Sequence, residues 1–342
     1  MNKKIAATVF MLLTVWGSAP SLGAEDPPMW AWGVTTPAPP RIYPAPPPAS
    51  FVRPPAPNLD TTTRHSLPGS KFQFTEAEIA SRHAPADWFP GDHPVMPEIV
   101  AKGRESAKPS IWACGFCHLP NGKGRPENAN LTGLSFEYFV QQMYDFKNGR
   151  RKSSDTRKAN TQLMVEFAEA MTHEEIVSAA GYFASIPATP WVKVIESDTA
   201  PKTVARGGIY LTLVGEQAGT EPLGNRIVET PISAEDFEVK RNPRSGFIAY
   251  VPRGSIERGE NLVRTGGGKV TPCTECHGRD LRGLGQVPPL AGRSPSYLVR
   301  QMYDMKHNNR DGFLSMQMST MLVNLTNDDF MFAAAYLASL KP

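Results

Sequence analysis

The feature that most constrains this chain is that one stretch of its sequence occurs twice. A CxxCH pentapeptide stands at 114–118 (CGFCH) and again at 273–277 (CTECH), which sets an offset of 159 between the two copies. Without a gap, the same offset aligns the run QMYD at 142–145 with QMYD at 301–304. After a short shift the offset is 154, and MTHEEIVSAAGYFASI aligns with LTNDDFMFAAAYLASL. Two halves this similar predict one structural unit that is used twice.

Residues 1–24 have the pattern of a secretory signal peptide, with Lys3 and Lys4 ahead of a short apolar run and small residues near Ala24. The apolar run, 5–16, is shorter than the roughly 20 residues that span a bilayer. We therefore expect cleavage after Ala24 and a soluble periplasmic chain without a membrane span; a retained membrane anchor is the alternative. Removing the two lysines leaves 34 of the 36 basic residues against 33 acidic ones, which argues against nucleic acid as a partner.

The CxxCH pentapeptide by itself allows three interpretations, which are a disulfide, part of a zinc site and a haem attachment site. A disulfide within each pair would close a very small loop and leave the histidine without a role. Tetrahedral zinc needs four ligands, and each unit offers three. Cysteines at i and i+3 share one face of a helical turn with the histidine beside them, which suits two thioether bonds and an iron ligand. Duplication of the pentapeptide on an exported chain favours haem.

The rest of the chain divides by composition into further segments. Residues 25–92 are rich in proline and are expected to form an extended linker with a short leader helix. Residues 93–187 and 254–342 are the two repeated units. Between them, 188–253 contains the strand-like runs WVKVIE, NRIVET and GFIAYV, which predict a small β-rich connector. The predicted fold class is therefore mainly α, with two tandem helical domains joined by that connector.

The last helix of each unit carries a start signal. Thr172 with Glu175, and Thr326 with Asp329, have the spacing of a capping box. The residues that follow repeat their apolar positions at helical spacing. We therefore expect a capped helix at the end of each unit.

Both units resemble class I c-type cytochromes, and the tandem resembles the bacterial di-haem proteins of that class. The resemblance covers about 93–187 and 254–342, and the second unit, with CTECHGRDLRGLGQVPPLAGRSPSYLVRQMYDM, is the better match. It implies that the chain carries two covalently bound haem c groups. The implied attachment cysteines and proximal iron ligands are Cys114, Cys117 and His118 in the first unit and Cys273, Cys276 and His277 in the second.

The resemblance also implies two structural roles. In the family a proline carbonyl orients the proximal histidine, which suggests Pro289 here, whereas the first unit has Asn130 at the equivalent place. A glycine and an aromatic residue mark the crossing of the first and last helices. The candidate pairs are Gly103 with Tyr182 and Gly259 with Tyr336.

The second axial ligand of each iron decides between electron transfer and chemistry at an open iron. Met164 and Met318 align with each other just before the last helix, where the family places its axial methionine, so we predict them as iron ligands. Met316 and Met321 fit by spacing alone, but neither aligns with a methionine in the first unit. The remaining candidates are Met143 and Met302, which fit core packing, and His173 and His307, which do not align with a histidine in the other unit.

The predicted function is single-electron transfer between a dehydrogenase or membrane redox complex and a terminal acceptor, with no substrate transformed by the chain itself. The alternatives are a peroxidase-like di-haem enzyme with one open iron and a haem subunit of a dehydrogenase or oxidase complex. An insertion before Met164 lies in KNGRRKSSDTRKANTQ, which forms either a basic rim that steers an acidic redox partner or a solvated loop. Its basic residues are Lys147, Arg150, Arg151, Lys152, Arg157 and Lys158.

Overall fold

The computed structural model describes residues 25–34 and 59–342, so the predicted signal peptide and most of the proline-rich run lie outside the described residues. The described ranges contain twelve α-helices, several of them a single turn, and none is long and apolar enough to cross a membrane. In chain order the helices are α1 (Glu76–Ile79), α2 (Glu98–Ala101), α3 (Cys114–His118), α4 (Phe136–Lys147), α5 (Ala159–Ala170), α6 (His173–Ala184), α7 (Ala234–Glu238), α8 (Ser255–Thr265), α9 (Thr274–His277), α10 (Pro295–Lys306), α11 (Phe313–Leu322) and α12 (Asn327–Ser339).

Short strands lie between these helices, and most pair as hairpins. They are β1 (His65–Ser66), β2 (Gln73–Phe74), β3 (Gly103–Arg104), β4 (Ile111–Trp112), β5 (Val192–Glu196), β6 (Thr199–Pro201), β7 (Thr203–Arg206), β8 (Ile209–Thr212), β9 (Thr220–Pro222), β10 (Val228–Pro231) and β11 (Phe247–Val251). A three-stranded sheet has the order β10–β11–β5, with β11 antiparallel to β10 and parallel to β5. The strands of this sheet lie on the runs WVKVIE, NRIVET and GFIAYV.

The two repeats fold alike around their last helices. α6 and α12 begin with the predicted capping boxes, because the Thr172 hydroxyl accepts from the Glu175 N–H and the Thr326 hydroxyl accepts from the Asp329 N–H. The QMYD helices, α4 and α10, pack against α6 and α12, and each unit has its own cluster of buried apolar side chains. Apolar residues at helical spacing therefore form one hydrophobic core in each unit.

The predicted crossing of first and last helices is present in the second unit only. A Cβ atom on Gly259 in α8 would collide with the Phe332 carbonyl and lie 2.7 Å from Tyr336 Cβ, so glycine lets α8 approach α12 closely. The pairing of Gly103 with Tyr182 was wrong. Gly103 has a φ of +69° and opens β3 directly after the single turn of α2, because a left-handed glycine ends a helix.

Residues 59–92, expected to be a linker with a leader helix, contain the β1–β2 hairpin and α1. Trp88 donates from Nε1 to the Lys240 carbonyl (2.7 Å), and Arg244 pairs with Asp92 (2.7 Å), so this segment is attached to the loop between α7 and β11. Its small apolar core consists of Leu67, Ile79, Trp88 and Phe89.

The segment 25–34 packs between the two units. Trp32 is completely buried, meets Tyr303 of α10 edge to face and donates from Nε1 to Ser153 (3.0 Å) in the first unit. At its start, the Glu25 carbonyl accepts from the Tyr303 hydroxyl (2.7 Å), and its carboxylate accepts from the Asn327 N–H (3.0 Å). The segment therefore contacts both units and belongs to the folded body.

Equivalent residues of the two units meet across an approximate twofold contact. Arg151 and Arg310, which are related by the offset of 159, form an isolated antiparallel bridge through their backbones. Each guanidinium donates to both glutamines of the pair and to the tyrosine of the other unit, over 2.6–3.1 Å. This hydrogen-bond network consists of Tyr138, Gln142 and Arg151 from the first unit and Tyr297, Gln301 and Arg310 from the second.

Candidate haem sites

Each CxxCH motif forms one helical turn, α3 or α9, and buries its histidine. His118 and His277 are both enclosed by protein. The residues that follow them, Leu119 and Gly278, have φ values of 61° and 84°, which stop the turn and lead the chain away. The motif is therefore held as a short helix with the histidine at its C-terminal end, as the i, i+3 spacing of the cysteines predicted.

A backbone carbonyl holds each histidine ring. His118 Nδ1 lies 2.9 Å from the Ala129 oxygen, and His277 Nδ1 lies 2.8 Å from the Pro288 oxygen. A carbonyl can only accept, so Nδ1 carries the proton and Nε2 is the nitrogen left for a metal. Ala129 and Pro288 align at the offset of 159, so both units use the same hydrogen bond.

This arrangement corrects the predicted role of Pro289. The carbonyl comes from the preceding residue, and Asn130 does not interrupt the arrangement in the first unit. Its side-chain oxygen instead accepts from the backbone and hydroxyl of Thr132 (2.9 and 2.8 Å). Because the acceptor is a backbone group, the residue type at this place does not decide whether the histidine is held.

The state of the histidines fits an iron ligand. His277 Nε2 is buried and has no hydrogen-bond partner, which is costly for a polar atom unless another group binds it. Burial lowers the pKa of His118 and of His277, and the carbonyl contact only partly offsets it. Both rings are therefore neutral near pH 7, the form in which imidazole binds a metal.

A cavity lies beside α3 in the first unit. Cys114, Cys117, His118 and Met164 all line it, so the structure brings together the four residues predicted for this haem. Its walls are largely apolar, which suits a macrocycle that must be kept from water. The apolar lining includes Leu131, Phe139, Phe146, Phe167 and Phe183.

Three methionines reach this cavity. Met143 on α4 and Met171 after α5 are buried in the packing of the first unit, whereas Met164 on α5 is only half-buried. The buried pair fits the core role expected for Met143. The assignment of Met164 as iron ligand stays a prediction.

In the second unit, burial separates the three methionines of α11. Met316 and Met321 are 51% and 38% exposed, while Met318 packs against the core of the unit. Met302 is buried inside that core. The methionine chosen by sequence register is thus the one that faces the inside, and its role as a ligand also stays a prediction.

The first cysteine of each motif is half-buried. Burial raises the pKa of the Cys114 thiol to about 12 and that of Cys273 to about 11. Among the described residues, which include all four cysteines, no cluster of histidine, cysteine and carboxylate groups could hold a metal ion alone. The two motifs therefore do not combine into a zinc site.

Of the six residues in the predicted basic rim, only Arg150 and Lys152 are exposed. Arg151 and Lys158 are buried, the Arg157 guanidinium pairs with Asp155 (2.6 Å), and Lys147 donates to backbone carbonyls at the end of α5. Four of the six basic residues are therefore buried or bonded within the molecule, which leaves Arg150 and Lys152 as the exposed part of the predicted rim.

Sequence reasoning missed the residues that cover the first motif. Arg241 lies over the Phe116 ring (4.2 Å) and donates to the Phe116 carbonyl, while Arg82 lies over the Trp112 ring (4.4 Å). Both contacts join residues far apart in sequence, and no motif marks either arginine. The structure alone brings them to the site.

No known protein-family profile matches the chain. Cytochrome c-554(548) of Halomonas halodenitrificans is 33% identical over 76 residues, which are 86% of that protein and 22% of this chain. The chain therefore belongs to the class I c-type cytochromes. With its two units it is a di-haem cytochrome of electron transport, and it carries two covalently bound haem c groups.

Two further relatives match longer or more similar stretches. Cytochrome c4 of Pseudomonas aeruginosa is 38% identical over 77 residues, which are 22% of this chain and only 37% of that protein. The thiosulfate dehydrogenase electron acceptor of Stutzerimonas stutzeri is 22% identical over 237 residues, 68% of this chain and 82% of that protein. Among solved structures, reduced cytochrome c4 from Pseudomonas stutzeri has a TM-score of 0.43 and 19% identity, over 66% of this chain and 93% of its own.

Proposed function

We propose that the chain is a periplasmic carrier of single electrons between a dehydrogenase or membrane redox complex and a terminal acceptor. One observation carries the proposal: both motif histidines are buried, neutral and held at Nδ1 by equivalent backbone carbonyls. Two equal, preorganised iron-ligand positions in one chain suit the transfer of an electron from one haem to the other. The signal-like pattern of residues 1–24 supports the periplasmic location.

In this proposal each unit holds one haem with the same four residue types. A bound haem c supplies a one-electron iron centre. The chain fixes the proximal ring through Nδ1, surrounds the site with apolar side chains and offers a thioether opposite the histidine, which favours the reduced state. The proposed residues are Cys114, Cys117, His118 and Met164 for one haem and Cys273, Cys276, His277 and Met318 for the other.

A second function is favoured by one finding, the similarity to a thiosulfate dehydrogenase electron acceptor over 68% of this chain. It would make the chain the electron-accepting subunit of a dehydrogenase. Purification of the tagged chain at native expression level tests it. A stoichiometric dehydrogenase partner favours this function, whereas a monomer favours the free carrier.

The first experiment is the visible spectrum of the reduced protein before and after carbon monoxide. A carrier with two closed irons leaves the spectrum unchanged, because carbon monoxide needs an open iron position. A shift in about half of the haem signal would instead mark one open site. That result would favour the peroxidase-like alternative over the carrier.

A further inference from the structure

The two CxxCH motifs differ in how much protein covers them. No residue in the stretch 112–128 is exposed, whereas more than half of the equivalent positions in 271–287 are. Within the motifs, Cys117 is half-buried and Cys276 is exposed. Because the two stretches align without a gap, the difference in exposure reflects the different residues that contact them, which for the first stretch include Arg300 of the second unit, a donor to the Pro126 carbonyl.

The first motif is covered by α7 and by the loop from α7 to β11, residues 234–246, which together we call the cover. Besides the contact of Arg241 with the motif, the Asn121 side-chain amide donates to the Pro243 carbonyl (2.8 Å), and Arg125 pairs with Glu238 (2.8 Å). The two partners from the first unit lie in the loop just after the motif. The cover is therefore attached to the part of the unit that surrounds the cysteines.

The same loop of the second unit is open to solvent. It folds back on the motif, because the Gly283 N–H donates to the His277 carbonyl (2.9 Å). Leu284 in this loop is 65% exposed and aligns with Arg125, the residue that holds the cover in the first unit. The exposed charged groups within 271–287 are two acidic and two basic, Glu275, Arg279, Asp280 and Arg282.

We propose that electrons enter and leave the chain through the second unit, and that the cover makes the first haem an internal site. This inference rests on the proposed carrier function. An open face with an apolar residue and balanced charges suits a redox protein whose own docking face is apolar and without strong net charge. Association with that partner should then depend little on ionic strength.

Nuclear magnetic resonance of the oxidised holoprotein tests which haem is accessible. A neutral nitroxide radical broadens resonances that it can approach, so the methyl signals of the second haem should broaden several-fold more than those of the first. Equal broadening, or stronger broadening of the first haem, would overturn the proposal. This readout does not depend on any electron-transfer activity.

Oxidation of the reduced protein by two small one-electron oxidants of opposite charge provides the second test. Each oxidant takes one electron from a ferrous haem, so ferricyanide becomes ferrocyanide and tris(phenanthroline)cobalt(III) becomes the cobalt(II) complex. Leu284→Glu adds a negative charge at the open face, so oxidation by ferricyanide should slow and oxidation by the cobalt complex should quicken, each roughly two- to fivefold at low ionic strength.

The matched control is Val214→Glu, since Val214 is 77% exposed and lies in the connector. It adds the same charge and should leave both rates unchanged. If Leu284→Glu also leaves both rates unchanged, electrons do not pass through this face and the inference fails. If neither oxidant removes electrons from the wild-type protein, the carrier function itself fails.

Discussion

His118 and His277 each donate from Nδ1 to a backbone carbonyl, which leaves Nε2 as the nitrogen that an iron could bind. The carbonyl fixes the tautomer and the ring orientation, and burial keeps the ring neutral. Both effects depend on the fold around the motif and not on a particular neighbouring side chain. A single hydrogen bond thus fixes the tautomer and the orientation of each histidine ring before haem is attached.

Met318 can be tested against a neighbour on the same helix. Met318→Ala should lower the reduction potential of the second haem and let carbon monoxide bind it, because a thioether ligand raises the potential and closes the iron. Met316→Ala is the control, since that side chain is 51% exposed. Redox titration and the carbon monoxide spectrum check both variants. If both variants behave alike, Met318 is not the ligand.

Side-chain identity was enough to predict some parts of the site and not others. The cysteines and histidines were predicted from the duplicated CxxCH motif and the family resemblance, and their roles at iron stay a prediction. The carbonyl partner was placed one residue too late, at Pro289, because a backbone acceptor leaves no signal in residue type. Arg151 looked like a surface charge, since a sequence does not show that a second unit will cover it.

At the scale of elements, the connector does more than join the units. β10 carries Glu229, which is buried against the start of α10 and accepts from the Ser294 hydroxyl (2.7 Å) and the Ser296 N–H (3.3 Å). The carboxylate therefore lies at the N-terminus of a helix, where negative charge is favoured. Strand positions in the connector were predictable from β-branched runs, but its contacts with the helices were not.

Glu229 gives a pH-dependent prediction. Burial raises the pKa of Glu229 above its ordinary value of 4.5, although the two serines and Arg300 oppose the shift. The folded state then binds the proton more tightly than the unfolded state, so this contribution to stability is complete below pH 4.5 and is lost as pH rises through the folded pKa. Glutamine does not titrate.

Relative to wild type, Glu229→Gln should therefore become progressively more stable as pH rises from below 4.5 to neutrality. Denaturant unfolding of both proteins at a series of pH values measures the difference. A stability difference between the two proteins that is constant or narrows with rising pH would contradict the assignment.

For the whole molecule, the twofold contact around Arg151 and Arg310 sets how the two haem units face each other. The two guanidinium groups are buried close together and donate to neutral glutamine and tyrosine oxygens, while the buried Arg310 Nε lacks a hydrogen-bond partner among the described residues. Such a network specifies one arrangement, because any other leaves buried charges unpaired. The repeat in the sequence predicted two units, but not that their equivalent surfaces meet.

Arg310→Gln should weaken this contact by about 2–4 kcal/mol, because it leaves Tyr138 and Gln142 with unmet hydrogen bonds in a buried place. Denaturant unfolding followed separately at each haem should then change from one transition to two. Arg253→Gln is the control, as its ion pair with Asp198 is exposed and such pairs contribute little to stability. Equal effects of the two variants would contradict a coupling role for the twofold contact.

The segment 25–34 has a consequence for the order in which the molecule assembles. Its hydrogen bonds reach residues 269 positions away at Arg300, 278 away at Tyr303 and 302 away at Asn327. Contacts this distant in sequence form late, since the chain between them must be ordered first. During synthesis the segment emerges early, and its bond from Trp32 to Ser153 needs only the first unit, but these three partners exist only once the second unit has folded. Its docking therefore acts as a completion step, which locks the two haem units together only after both exist.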